Sequence, residues 1–120
     1  MNNQESLEFV RKYFDELFGK RNIDALDLYL DKEYFDDDIG DAGVDHLKNA
    51  QEYLRELFKE KPTIGVEVKD AITQDDVVSA VVEWFVLENR VKRIIRKGIV
   101  IFVVNNLKIR KRHTYIYYEE

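Results

Sequence analysis

The chain contains no cysteine, and that absence removes a disulfide scaffold, a thiolate zinc site and a thiol nucleophile together. No apolar run approaches the roughly 18 residues that a membrane-crossing helix needs. The opening residues Met1 to Glu5 have neither the basic start nor the apolar centre of a secretion signal. A cytoplasmic protein with no membrane partner is the expectation. Internal repeats, low-complexity stretches and linker-like segments are also missing, so the 120 residues read as a single domain over 1–120. The two histidines, His46 and His113, are not at ligand spacing, and neither a metal nor a cofactor is expected.

What is present suffices for one core. Hydrophobic residues make up 45% and charged residues 36%, a folded rather than a disordered balance. The net charge of -5 is unevenly spread: residues 1–60 hold 8 Lys/Arg against 16 Asp/Glu, and residues 61–120 hold 11 against 8. The basic half, with Tyr115, Tyr117 and Tyr118 near Arg110 and Arg112, has the ingredients of a base-stacking platform. Phosphate binding would act against an acidic whole, so nucleic acid is not the expected partner.

Leu7, Val10, Phe14, Leu17 and Phe18 recur at helical spacing, with Gly19 as a stop. Asn22 can cap a second, shorter helix with Leu26, Tyr29 and Leu30 as its buried stripe. The acidic stretch 33–38 predicts a short strand. From Val44 a third helix buries Leu47, Ala50, Leu54, Leu57 and Phe58 until Pro62 ends it. Beyond Pro62 the period changes from 3.6 to 2, and Ile64, Val66, Val68 and Ile72 share a face. Three further strands follow, over 77–87, 93–104 and 108–118, separated by turn residues. Helices segregated from a meander of long strands imply an α+β domain, three N-terminal helices on one face of a strongly curved antiparallel sheet. The other face then needs a cover. Val78, Ala80, Val82, Trp84 and Val86 share one side of the central strand, and a homodimer through that Trp84 face is predicted.

Particular residues carry a resemblance to a known family: Val10–Phe14, Asn22–Leu26, Tyr34–Asp38, Gly43-Val44, Glu83-Trp84, Gly98–Phe102 and Lys108-Ile109. In this order and register the chain resembles the nuclear transport factor 2-like superfamily, in particular its SnoaL-like branch, over nearly its whole length. The resemblance implies a cone-shaped pocket between helices and sheet. Polyketide cyclases and ketosteroid isomerase, relatives on this basis, use a carboxylate base in the cone, and the isomerase adds a tyrosine and a protonated aspartic acid. Motif position makes Asp38 the base and Tyr13 the tyrosine, while the second acid falls near Val100. The branch's histidine between two aspartates is Asp37 here, and its last-strand carboxylate gives way to Arg110–Thr114.

The same resemblance turns Ser79, Val81, Glu83, Phe85 and Leu87 into the cone, together with Arg110, Arg112, Thr114 and Ile116. Glu83 is then a carboxylate in an apolar strand that needs a partner, and Arg110 or Arg112 can supply one. The candidates are Asp38 and Glu83 as acid/base, and Tyr13, Phe85, Phe102, Arg110 and Arg112 as ligand contacts. Each has a plainer alternative: a structural ion pair for Glu83, a core aromatic for Tyr13. Asp36, Asp37, Asp38 and Asp41 lack calcium-loop spacing and read as a solvated strand end. The expected function is binding of a small, partly apolar, anionic molecule. The alternatives are a cofactor-independent isomerase, cyclase or hydrolase, and an adaptor that binds protein through the outer sheet face.

Overall fold

The computed structural model describes residues 1–40 and 43–120; Asp41, one aspartate of the acidic cluster, lies outside the described residues. Helix α1 (Asn3–Phe14) starts at a reciprocal cap: Asn2 Oδ1 accepts from Glu5 N at 2.8 Å and Glu5 Oε1 accepts from Asn2 N at 3.0 Å. Its apolar stripe buries Val10, Tyr13 and Phe14, and a wider π-turn over Asp15–Gly19 carries the stripe on to Leu17 and Phe18. The second helix is shorter than its periodicity predicts. A 3₁₀ turn at Ile23–Ala25 leads into α2 (Leu26–Tyr29), and Leu30 already opens strand β1 (Leu30–Asp36). Asn22 makes no side-chain cap; its amide donates to Glu16 Oε2. Helix α3 (His46–Glu60) is capped by Asp45, which accepts from Lys48 N at 3.1 Å.

Strands β2 (Gly65–Gln74), β3 (Val77–Glu88), β4 (Val91–Asn105) and β5 (Lys108–Glu119) form an antiparallel meander. Its two-residue turns at Asn89-Arg90 and Asn106-Leu107 have positive φ at both central residues, the twist a tight hairpin needs. Strand β1 adds to the far edge in parallel with β5, so the sheet is mixed and open, in the order β1-β5-β4-β3-β2.

Four single-residue bulges bend this sheet. Lys69 is extra on β2, Ile95 on β4, and Arg110 and Tyr117 on β5. Each shifts the alternation of inward and outward side chains by one. On β2 this buries Ala71 and exposes Ile72 at 58%, against the strict alternation read from the sequence.

The helices cover the face that bears Val78, Ala80, Val82, Trp84 and Val86, all buried, and Trp84 is only 4% exposed. The Trp84 side is therefore the interior, not an outer dimer face. Helix α1 packs chiefly on β2, and its Val10, Tyr13 and Phe14 join the buried side chains of β3 and β4 in one core. Glu83 and Phe85 occupy the opposite, outer face together with Ser79 and Val81, because alternation with the buried Trp84 sends them out. Water there removes the desolvation that an inward Glu83 would suffer.

No helix is long and apolar enough to cross a membrane. Phe102 is the centre of the core, fully buried and in edge contact with Tyr13 at 5.8 Å between ring centroids. Phe102→Ala is expected to cost about 3–5 kcal/mol of unfolding free energy in urea titrations; a loss below about 1 kcal/mol would show that the core does not hinge on this ring.

Candidate functional site

Between α1, α3 and the inner faces of β3–β5 lies a cavity of ≈ 410 Å³, within the range of about 300–1,000 Å³ typical of small-molecule sites. Leu17, Phe18, Leu54, Leu57, Trp84 and Ile116 give it apolar walls, and Tyr13, Tyr34, Asp36, Asp38, Arg96, Arg112, Thr114 and Glu119 supply its polar groups. Gly98 shapes the sheet side. A Cβ there would sit 2.7 Å from Tyr115 O and 3.3 Å from the Trp84 ring, so the missing side chain lets β4, Trp84 and Ile116 approach one another.

Arg112 is the central polar group. It enters from β5 because the Arg110 bulge lets Ile109 and Arg112 both face inward. Its Nε donates to Thr114 Oγ1 at 3.3 Å and its guanidinium lies 5.7 Å from the Phe102 ring centroid. Burial disfavours the charge, but the oxygens of Tyr13 and Tyr34, then Asp36 and Tyr53, more than restore it, and the guanidinium is held more firmly protonated than usual. Among the described residues no carboxylate is within ion-pair distance of Arg112.

The acidic strand end is tied down around it. Asp36 N donates to His46 Nδ1 at 3.0 Å, and Asp36 Oδ1 accepts from Asp38 N at 2.9 Å. The His46 ring, 5% exposed, stacks on Phe35 at 4.5 Å. As an acceptor at Nδ1, His46 carries its proton on the other nitrogen and sets the height of Asp36 in the cavity wall. Asp38 stands at the rim: Oδ2 accepts from Thr114 N at 3.0 Å and Oδ1 is 3.0 Å from His113 Nδ1. Its carboxylate lines the cavity while clamping the turn after β1 onto β5.

The predicted site residues therefore divide. Tyr13, Asp38 and Arg112 converge on the cavity. Phe102 lies beneath it as core rather than as wall. Arg110 does not reach it: the bulge turns this side chain out, where it pairs with Glu33 at 3.4 Å across a solvated edge, a contact worth little. Glu83 and Phe85 are on the outer face. Glu83 stands beside Lys97 in the β3–β4 register, so no Glu83–Arg pair exists inside, and Phe85 lies under the Lys92 ammonium at 4.3 Å. Alternation ignorant of the bulge put Arg110 inside, and the face assigned from the resemblance put Glu83 and Phe85 there.

The cavity also uses residues that pattern alone did not single out. Tyr34 and Asp36 reach it from β1, Trp84 from β3, and an Arg96–Glu119 pair closes one side at 2.8 Å, with Arg96 5.5 Å from the Trp84 ring. The Tyr117 bulge brings Glu119 round to Arg96. The alternation of Tyr34 with Asp36 was a usable signal; the bulges left none. Among the described residues no three His, Asp or Glu side chains gather as a metal site.

Burial pushes the hydroxyls of both Tyr13 and Tyr34 above their ordinary value of 10.0, with the Arg112 charge pulling part of the way back. Both are therefore neutral hydrogen-bond donors. A folded-state value above the unfolded one leaves stability intact below pH 10.0, and the unfolded chain gains by ionising as pH rises further. Stability in urea should fall steeply above about pH 10, and Tyr13→Phe with Tyr34→Phe should flatten that fall; an unchanged alkaline slope in the double variant would contradict the burial of these hydroxyls.

A SnoaL-like domain model matches residues 10–112, and no curated protein matches the sequence. Among solved structures, a Bacillus cereus protein named as a polyketide cyclase superposes with a TM-score of 0.76 at 16% identity, covering 94% of this chain and 74% of that one. A SnoaL-like polyketide cyclase from Agrobacterium tumefaciens gives 0.70 at 15%, covering 90% and 87%. TsrD from Streptomyces laurentii gives 0.73 at 12%, covering 98% and 92%. At such identities the structures speak for the fold alone. The family model spans most of the chain, from the α1 stripe through Arg112 itself, and the protein belongs to the SnoaL-like family of NTF2-like α+β domains.

Proposed function

We propose that this domain binds a small, partly apolar anionic molecule in the cavity between helices and sheet, with Arg112 as the anchor. The observation that carries the reading is the state of Arg112: a half-buried guanidinium, fixed by Thr114 and an aromatic ring, without a carboxylate partner among the described residues. An unneutralised cation in such a setting costs free energy that an arriving anion recovers. Tyr13 and Tyr34 stand beside it as neutral donors, and the apolar walls suit the remainder of the molecule. Arg112→Gln should keep the fold and abolish the thermal stabilisation that acidic small molecules confer in a ligand screen. Equal stabilisation of wild type and variant would contradict the assignment.

A second reading adds chemistry. Asp38, paired with His113 and lining the same cavity as Arg112, is placed to move a proton on a molecule whose developing negative charge Arg112 and Tyr13 would stabilise. Exchange of solvent deuterium into a bound molecule, lost in Asp38→Asn with binding retained, would support it; exchange unchanged in that variant would remove Asp38 as the base.

The homodimer proposal moves to the true outer face. There Val81, Ile99 and Tyr115 form one cross-strand row, Ile99 and Tyr115 being 36% and 57% exposed. The next row places Glu83 between Glu67 and Lys97. A two-fold partner that covers the apolar row can set Lys97 against Glu83 of the other copy. Ile99→Glu should give monomers in sedimentation equilibrium, whereas a monomeric wild type, or an unchanged dimer in the variant, would rule this face out.

A further inference from the structure

We infer that the cavity selects monocarboxylates carried on a one- or two-ring apolar body, and discriminates against phosphate monoesters of the same body. This deepens the reading of the cavity as an anion site and rests on it.

Three observations set the class. The first is the donor set of Arg112. Its Nε is taken by Thr114 Oγ1 and the guanidinium also hydrogen-bonds the Tyr13 hydroxyl, which leaves the remaining guanidinium N–H groups to meet one carboxylate. The second is the charge of the walls. Asp36, Asp38 and Glu119 face Arg96 and Arg112 across the same space, three carboxylates against two guanidinium groups. Arg96 is already matched by Glu119 at 2.8 Å, so only Arg112 is left to neutralise a ligand. Arg112 can meet one negative charge by direct contact; a second would lie near Asp36 and Asp38 with no further unpaired guanidinium in the wall to answer it, and like charges in a partly desolvated site repel.

The third is size and texture. A volume of ≈ 410 Å³ is at the small end of ligand sites. Beside its polar groups it has aromatic and aliphatic walls, with Trp84 and Leu57 among them. A flat ring system suits those walls.

The test uses three probes with one body: 2-naphthoate, 2-naphthyl phosphate and the uncharged 2-naphthamide, titrated calorimetrically and by fluorescence. Trp84 is the chain's one tryptophan and lines the cavity, so a molecule bound there contacts it and changes its emission. The wild type should bind naphthoate about ten- to a hundredfold more tightly than either other probe, the scale of a charge-assisted bidentate contact. Arg112→Gln should bring naphthoate down to the level of naphthamide, and Asp36→Asn should strengthen naphthyl phosphate selectively. Naphthyl phosphate or naphthamide binding as tightly as naphthoate, with Trp84 responding, would overturn the carboxylate class and leave the cavity standing as a binding site. Failure of all three probes to perturb Trp84 would overturn both.

Discussion

One extra residue in strand β5 decides what the interior of this protein can do. Opposite Val103 and Val104, strand β5 spends three residues, Ile109, Arg110 and Lys111. Without that bulge the inward side of β5 would run from Ile109 to Lys111, and Arg112 would lie on the outer face. With it, Ile109 closes the core and Arg112 lies over Phe102 in the cavity. The Tyr117 bulge repeats the device a few residues later and brings Glu119 to Arg96. Both irregularities also bend the sheet around the helices, so the curvature that makes room for the cavity and the charges that line it have a common origin.

The energetics follow from that placement. Holding a guanidinium half out of water without a carboxylate is unfavourable, and the surroundings offset it piecemeal: an aromatic face below, a threonine hydroxyl at one nitrogen and tyrosine oxygens around it. Asp36 is the register neighbour of Arg112 on β1, yet its carboxylate is turned to the backbone of Asp38. The nearest acid thus raises the local negative potential without consuming the cation. His46 and the Asp38–Thr114 clamp keep it so, by fixing the strand end from the helix side and from the β5 side. The result is a charge organised before any ligand arrives, which reduces the reorganisation that binding would otherwise require.

Much of the scaffold was legible in the residues. The α1 stripe from Val10 to Phe18, the break at Pro62 and the change of period after it gave three helices and a meander, because amphipathic periodicity reports burial directly. The parallel β1–β5 edge was not readable, since nothing local in 30–36 distinguishes a parallel neighbour from an antiparallel one. The two faces of β3 were interchanged for a different reason. The face bearing Val78, Ala80, Val82, Trp84 and Val86 is wholly apolar while the other carries Ser79 and Glu83, so polarity was the physical discriminator that the face assigned from the resemblance overrode. Arg110 and Arg112 could not be separated either, because a bulge leaves no mark in composition or period. Tyr13, Asp38 and Arg112 were reached by motif position and alternation, and Asp36, two residues from Asp38 on a strand already suspected, was within the same reach.

The proposed role of Arg112 as an anion receptor is tested most directly by a crystal structure grown with 2-naphthoate. The carboxylate is expected on the guanidinium of Arg112, with the rings between Trp84 and Leu57. Arg112 paired instead with Asp36 or Asp38, with the naphthoate bound elsewhere, would contradict it.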